Sequence, residues 1–281
     1  MKVYPFKIQK ESQQSILVQY DEGIRFYDRL HQHQDMQLSF IVKGQGTYII
    51  GDALGEFKSG NFFLIGTNLP HIFKIAPQNL APVKMISIFF TEKSLGQGFF
   101  DLPELWQIKK MLNDSYLGLK VTHNSFLENA FSHIKNKASF VNILNFLEVL
   151  KSFYLANYTL LASVNAKTIL SETEGKRMDK VYQFVLENFK NKITLAQMSD
   201  IAAMSKPAFC RYFKQHTNKT FVTFLNELRI GEACRQLQKT KASIQSIAYS
   251  CGFNNLTNFN RTFKLIKKLS PSEYRKKIRK N

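Results

Sequence analysis

The sequence predicts an α+β protein: an N-terminal antiparallel β-barrel followed by helices, and a C-terminal all-α domain with two helix-turn-helix units. Three observations predict it. Short β-branched and aromatic runs separated by turn residues fill the chain to about residue 90, helical spacing takes over after Pro103, and one six-residue helical motif occurs twice near the end. At 281 residues the chain exceeds one comfortable core. It divides into a barrel over 1–98, a helical segment over 99–165 that offers a dimer interface, a linker over 166–176, and the double helix-turn-helix domain over 177–281.

The predicted strands are Ile16 to Gln19, Gln37 to Val42, Thr47 to Ile50, Asn61 to Ile65, Ile72 to Ile75 and Val83 to Phe90. Turns such as Lys43-Gly44-Gln45-Gly46 separate them, and short strands at this spacing favour a barrel or jelly roll. Within Phe140 to Ala162, the positions Ile143, Leu147, Leu150, Tyr154 and Leu161 follow a 4-3 spacing. That stripe reads either as burial against the protein's own barrel or as a seam with a second copy. Ser163 to Lys176, rich in Asn, Ser, Thr and Glu, is the linker candidate. Beyond it Thr194 caps Leu195 to Ala202, Ser205 with Pro207 opens a second helix, Thr220 to Lys239 forms a longer one, and Ser243 caps Ile244 to Ser250.

The charge is unevenly distributed. Of 39 Lys+Arg and 21 Asp+Glu, residues 175–281 hold 22 and 6, so +16 of the net +18 lies in the last 107 residues. A polyanion that meets only this part explains the asymmetry, as does a solubilising or membrane-surface patch, and motifs must decide. Phe209-Cys210-Arg211-Tyr212-Phe213-Lys214 returns as Phe259-Asn260-Arg261-Thr262-Phe263-Lys264. Each copy follows a short helix and a turn, so one structural unit occurs twice. Phenylalanines four apart share a helical face and can bury, which leaves the cations on the opposite face. A 20-residue helix between the copies would span roughly 30 Å, close to the ~34 Å turn of a DNA duplex.

On these residues, with Ile247-Ala248-x-x-x-Gly252-Phe253 and Ser270-Pro271-Ser272-Glu273-Tyr274-Arg275, the stretch Ile193 to Tyr274 resembles the DNA-binding domain of AraC/XylS regulators. The resemblance implies that Lys206 to Gln215 and Asn255 to Leu265 are recognition helices. It places Lys206, Pro207, Cys210 and Arg211 of the first, and Leu256, Thr257, Asn260 and Arg261 of the second, at the family's base contacts. Asn255 opens the second helix and belongs to the same interface. Arg211, Asn260 and Arg261 are expected on bases, and Lys206, Lys214 and Lys264 on phosphates. Pro207 and Cys210 are poor hydrogen-bonders, which weakens direct readout by the first helix.

In the N-terminal part His31-Gln32-His33, Gln37, Gly44, Gly60-Asn61 and Pro70-His71 resemble the two cupin motifs. Metal cupins join two His, a Glu and a later His on one ion. Gln37 stands where the Glu would be and removes the anionic ligand, so no metal and no cofactor is expected. The histidines either satisfy one another near the barrel mouth or line a pocket with Arg25, Gln37 and Tyr48 for a small sugar-like or other polar effector.

No stretch reaches the ~18 uninterrupted apolar residues of a membrane span, and Met1 to Lys10 lacks a secretory pattern. Cys210, Cys234 and Cys251 have no metal-like spacing and suit a reducing, cytoplasmic setting. The expected protein is a transcription regulator and not an enzyme. Its expected partners are double-stranded DNA, a small effector, a second copy of itself and, as the resemblance implies, RNA polymerase. Two rivals stand beside it: a metal-dependent cupin enzyme fused to a DNA-binding domain, and a ligand-independent DNA binder.

Overall fold

The computed structural model describes residues 14–76, 81–163 and 170–280. The reading of Met1 to Lys10 lies outside the described residues, as does the start of the expected linker, 166–169. The chain divides into two compact units between Lys176 and Arg177.

The first unit holds β1 (Leu17–Gly23), β2 (Met36–Lys43), β3 (Gln45–Ile50), β4 (Ala53–Lys58), β5 (Asn61–Ile65), β6 (His71–Ile75) and β7 (Val83–Phe90). Then come α1 (Trp106–Asp114), β8 (Leu119–Val121), α2 (Ser125–His133), α3 (Phe140–Leu155) and β9 (Thr159–Leu160). The strands form a six-stranded sheet, in the order β1-β7-β2-β5-β8-β9, and a three-stranded sheet, β4-β3-β6. An isolated bridge between His31 and His71 lies beside these ladders. Among the described residues the expected closed barrel is therefore an open two-sheet sandwich, because β4 joins no strand but β3 and β6 adds to β3 only the single His31–His71 bridge.

Alternation along the strands builds two cores. On one face of the large sheet Leu38, Phe62, Leu64, Ile88 and Phe90 pack with Phe131, Phe146, Val149 and Phe153 of the helices. On the other, Ile41, Phe63, Ile65 and Met85 meet Tyr48, Ile50, Phe57 and Phe73 of the small sheet. With both faces covered, β5 buries every residue, which is why its sequence reads as a continuous apolar run. Strand β4 escaped the sequence reading because Gly55 and Glu56 interrupt its β-rich pattern; a Cβ at Gly55 would run into the Tyr48 ring.

Helix α3 is capped by the Ser139 side chain, which accepts from Asn142 N. Its buried stripe is Asn142, Phe146, Val149, Leu150 and Phe153, one step off the 4-3 stripe expected; Leu147 and Tyr154 lie half-buried against the same core, and Leu161 is beyond the helix. Burial against the protein's own sheet thus explains that stripe. Phe140, Val141, Leu144 and Leu155 remain exposed.

The second unit takes the greater part of α4 (Glu172–Asn188), whose first turn lies in the expected linker, and holds α5 (Leu195–Ile201), α6 (Lys206–Thr217), α7 (Phe221–Lys239), α8 (Ile244–Ser250), α9 (Leu256–Lys267) and α10 (Pro271–Lys280). Two halves repeat almost residue for residue. Thr194 and Ser243 cap the leading seven-residue helices, Thr194 through a full capping box with Gln197. Each leading helix ends in a turn with a positive-φ residue, Ala203 at 51° and Gly252 at 88°. Ser205 and Asn255 cap the following twelve-residue helices, which stop at left-handed Asn218 and Lys268. Helix α7 serves both halves: Phe221 and Phe224 pack on Phe213, while Ile230, Ala233, Cys234 and Leu237 join the core of Ile247, Phe253, Phe259 and Phe263.

Candidate functional site

The duplicated motif folds as its spacing requires. Phe209, Phe213, Phe259 and Phe263 are all fully buried, and the ring centroids within each pair lie 5.7 Å apart in both copies. Opposite them, Lys206, Pro207, Cys210, Arg211 and Lys214 on α6 are exposed, as are Thr257, Asn260, Arg261 and Lys264 on α9 with the cap residue Asn255. Leu256 is the exception: it is half-buried and packs on the core of its half, so it supports the helix more than it faces out. Asn255 Oδ1 accepts from Asn258 N, and Arg261 Nη2 donates to Asn258 Oδ1 at 3.3 Å, which aligns the guanidinium along the helix. An exposed basic face of helical width, rigidly backed by aromatic rings, can enter a major groove. A groove lined by Val222, Thr223 and Asn226 of α7 and Arg261, Lys264 and Leu265 of α9 adjoins this face; the sequence reading missed its α7 side.

In the first unit the structure brings together His31, His33, Gln37 and His71. His31 and His71 exchange backbone bonds of 3.1 and 2.9 Å, and their rings stand 4.1 Å apart. One ligand nitrogen from each of the three buried histidines lies within 4.8 Å of the others, so among the described residues this is the group that could hold a metal ion. Each Nδ1 donates to a backbone carbonyl: His31 to Arg29 at 2.8 Å, His33 to Asp35 at 2.6 Å and His71 to Leu69 at 2.8 Å. A carbonyl can only accept, so every Nε2 carries the lone pair. Burial keeps the rings neutral, pulling His31 down to about 3 with help from His33, lowering His33, and holding His71 well below its usual value.

Gln37 faces His33 and His71 at 3.1 Å each on one side, and Ser39 Oγ at 2.9 Å and Ser87 Oγ at 3.3 Å on the other. These polar groups occupy inward positions of β2 and β7, an arrangement alternation alone cannot reveal because Leu38 and Phe40 are covered by helices on the other face. Arg25 is exposed, and Tyr48 stacks near Phe63 beneath the Lys120 ammonium, 5.1 Å above its ring, so neither lines the histidine cavity. The cavity beside the cluster is lined by His31 and Gln37 with Gln19, Asp21, Tyr27, Phe73, Met85 and Phe89, and His33 and His71 are not part of its lining. The cavity measures about 40 Å³. Pockets for metabolites run to roughly 300–1,000 Å³, several times this volume.

Residues 198–277 match the family model described as a helix-turn-helix domain. An uncharacterised HTH-type transcriptional regulator of Haemophilus influenzae is 24% identical over 88% of this chain and 89% of its own length. The transcriptional activator RhaS of Pectobacterium carotovorum is 23% identical over 87% and 86%. Among solved structures, ToxT of Vibrio cholerae aligns over 93% of this chain and 98% of its own at 14% identity and a TM-score of 0.37. The matched domain and the relatives, over an exposed basic face of this kind, show a helix-turn-helix DNA-binding transcription regulator. Residues 198–277 thus form a helix-turn-helix domain of the AraC type. Among the described residues no helix is long and apolar enough to cross a membrane.

Proposed function

We propose that α6 and α9 read successive major-groove segments of one duplex and that a small effector at the histidine site controls this binding. The observation that carries the first part is the duplication itself: two equal helices, each with buried phenylalanines and an exposed cationic face, flank one 19-residue helix. That helix is roughly 28 Å long, near the advance of one DNA turn. Arg211, Asn260 and Arg261 address base edges, and Lys206, Lys214 and Lys264 address phosphates. Control requires that the effector favour one of two states of the regulator. The buried, preorganised imidazoles support that role because their lone pairs converge where a ligand can use them. Exposed Phe140, Val141, Leu144 and Leu155 offer a second copy an apolar face. Curated relatives named as activators support activation, with RNA polymerase as the further partner. The test selects binding sequences from random duplexes with the full chain. Two conserved blocks about one helical turn apart support the reading, and retention of random DNA without enrichment overturns it.

A further inference from the structure

The groove between the first turns of α7 and the edge of α9 has a volume of about 820 Å³ and opens beside the basic face. Helix α6 ends at Thr217 and α7 starts at Phe221, so the α7 wall belongs to the first half of the unit and the α9 wall to the second. Val222 on one wall and Leu265 on the other remain 54% and 69% exposed, apolar surface that the fold leaves uncovered.

The charge of the groove is one-sided. Arg261, Lys264 and Lys268 line it, no carboxylate does, and none of the three cations forms an ion pair among the described residues. Glu227, the acid on the first half of α7, is already paired with Lys219 at 2.7 Å. The Thr223 hydroxyl is bonded to that of Thr220 at 2.8 Å, which leaves Asn226 as the polar group of the α7 wall that can take a ligand. Asn226 is half-buried, and its side chain makes no hydrogen bond among the described residues.

The occupant must be anionic, must carry an apolar edge, and must lie against the reading face, because Arg261 and Lys264 belong to both surfaces. A strand of duplex DNA meets all three conditions. Each nucleotide offers a phosphate and the carbon edge of a sugar, and a strand bordering the major groove that α9 enters runs beside that helix. From Arg261 to Lys268 the α9 wall covers two helical turns, roughly 10 Å, the axial advance of about three nucleotides.

We propose that this groove is a backbone clamp, seating the sugar-phosphate strand between the two major-groove segments with Asn226 and Lys268 on phosphates and Val222 and Leu265 on sugar. The clamp rests on the reading of α6 and α9 given above and adds α7 to the interface. It ties both halves to one strand and reads no base, so its residues act on every sequence alike, in contrast to Arg261.

The test uses the full chain and the duplexes it selects. Hydroxyl-radical footprinting should show protected sugars on one strand between the two blocks. Asn226→Ala should weaken binding about 3- to 10-fold, the range of one hydrogen bond, on selected and random duplexes alike. Uncharged methylphosphonate, placed at each spacer phosphate in turn, should cost the parent most at one or two positions and cost Asn226→Ala less there. Val222→Asp should weaken binding tenfold or more and erase the spacer protection at unchanged Tm, because an acid in the first turn of α7 suits the helix. Lys268→Asn keeps a residue that tolerates the left-handed cap at φ 59° and should lower the salt slope by about 0.9. An unprotected spacer in the parent, or parent-like affinity and salt slope in Val222→Asp and Lys268→Asn, overturns the clamp and leaves the regulator reading intact. A Val222→Asp chain that binds DNA like the parent but no longer activates transcription with purified RNA polymerase assigns the groove to a protein and also overturns the clamp. Failure of the parent to select any duplex sinks the regulator reading instead.

Discussion

The two halves of the DNA-binding unit permit a paired experiment at one backbone position. Each leading helix ends in a positive-φ residue whose N–H bonds back into the helix: Ala203 N to Asp200 O at 2.9 Å and Gly252 N to Tyr249 O at 3.0 Å. The first half holds an alanine there at φ 51°, inside the left-handed region, while Gly252 sits at φ 88°. A Cβ on Gly252 would stand 2.7 Å from Lys190 O and 2.9 Å from Phe189 O. Phe189 O cannot yield cheaply, because Arg229 Nε donates to it at 2.8 Å while Nη2 holds Asn191 O at 2.8 Å. For Gly252→Ala the left-handed backbone costs about 1–2 kcal/mol, the smaller unfolded-state entropy returns about 0.4–1, and disturbing the Arg229 bonds costs about 1.5–3. The net is a loss of about 2–4 kcal/mol. Ala203→Gly removes the left-handed penalty against a similar entropic loss, so it should be neutral or stabilising by up to about 1 kcal/mol. Urea unfolding of the full chain measures both. Trp106, the only tryptophan, reports the first unit by fluorescence, so a change confined to the helical circular dichroism belongs to the second. A Gly252→Ala loss under about 1 kcal/mol, or equal losses in the two variants, would refute the assigned crowding.

Arg261→Ala should cost about 1–3 kcal/mol on the selected site and relax preference at one position, while Lys264→Ala should weaken all sequences alike and flatten the salt dependence; equal losses for Arg261→Ala on specific and random duplexes would deny it a base contact. Lys120, half-buried against Tyr48 and Phe63 with its Nζ donating to Glu56 O at 2.7 Å, is pulled by desolvation from 10.5 down to about 8. Below about 8 both folded and unfolded chains hold this proton, whereas between about 8 and 10.5 only the unfolded chain does, so stability of the first unit should rise with pH there. Lys120→Met should abolish that rise and stabilise the unit at neutral pH by roughly 1–3 kcal/mol, and a less stable variant at pH 7 would contradict the burial cost. Replacing His33 and His71 together by alanine should abolish the effector's influence on DNA affinity in a binding titration; a retained response would remove these imidazoles from the sensing site.

Much of the DNA-binding unit was legible in the sequence because its determinants are local. Side-chain caps at Thr194, Ser205, Thr220 and Ser243 set where helices begin, and each accepts the backbone bond its position implies. Phenylalanines four apart fix which side of a helix is buried, and the cations fall opposite by geometry alone. Repetition then supplied the check that a single amphipathic helix lacks. Only Leu256 departs, since at the first turn of α9 it leans back on the core.

The histidine site was legible in membership but not in form. His31, His33, Gln37 and His71 could be gathered from their motifs, but Arg25 and Tyr48 could not be excluded, because adjacency in a β-sandwich is set by pairing between residues far apart in sequence. The Gln37–Ser87 and Gln32–Leu170 bonds span 50 and 138 residues. Strand alternation states that Gln37 and Ser39 share a face, yet it cannot say which face is inside once helices cover the other. The size of the cavity follows from how closely the two sheets pack, a property of all the side chains between them and of no segment alone. The sequence therefore settled the helices, their caps and the basic faces through contacts within a few residues. Tertiary structure alone decided that the two sheets stay open, that His31, His33, Gln37 and His71 meet in one buried cluster, and that Gln32 holds the chain just before α4.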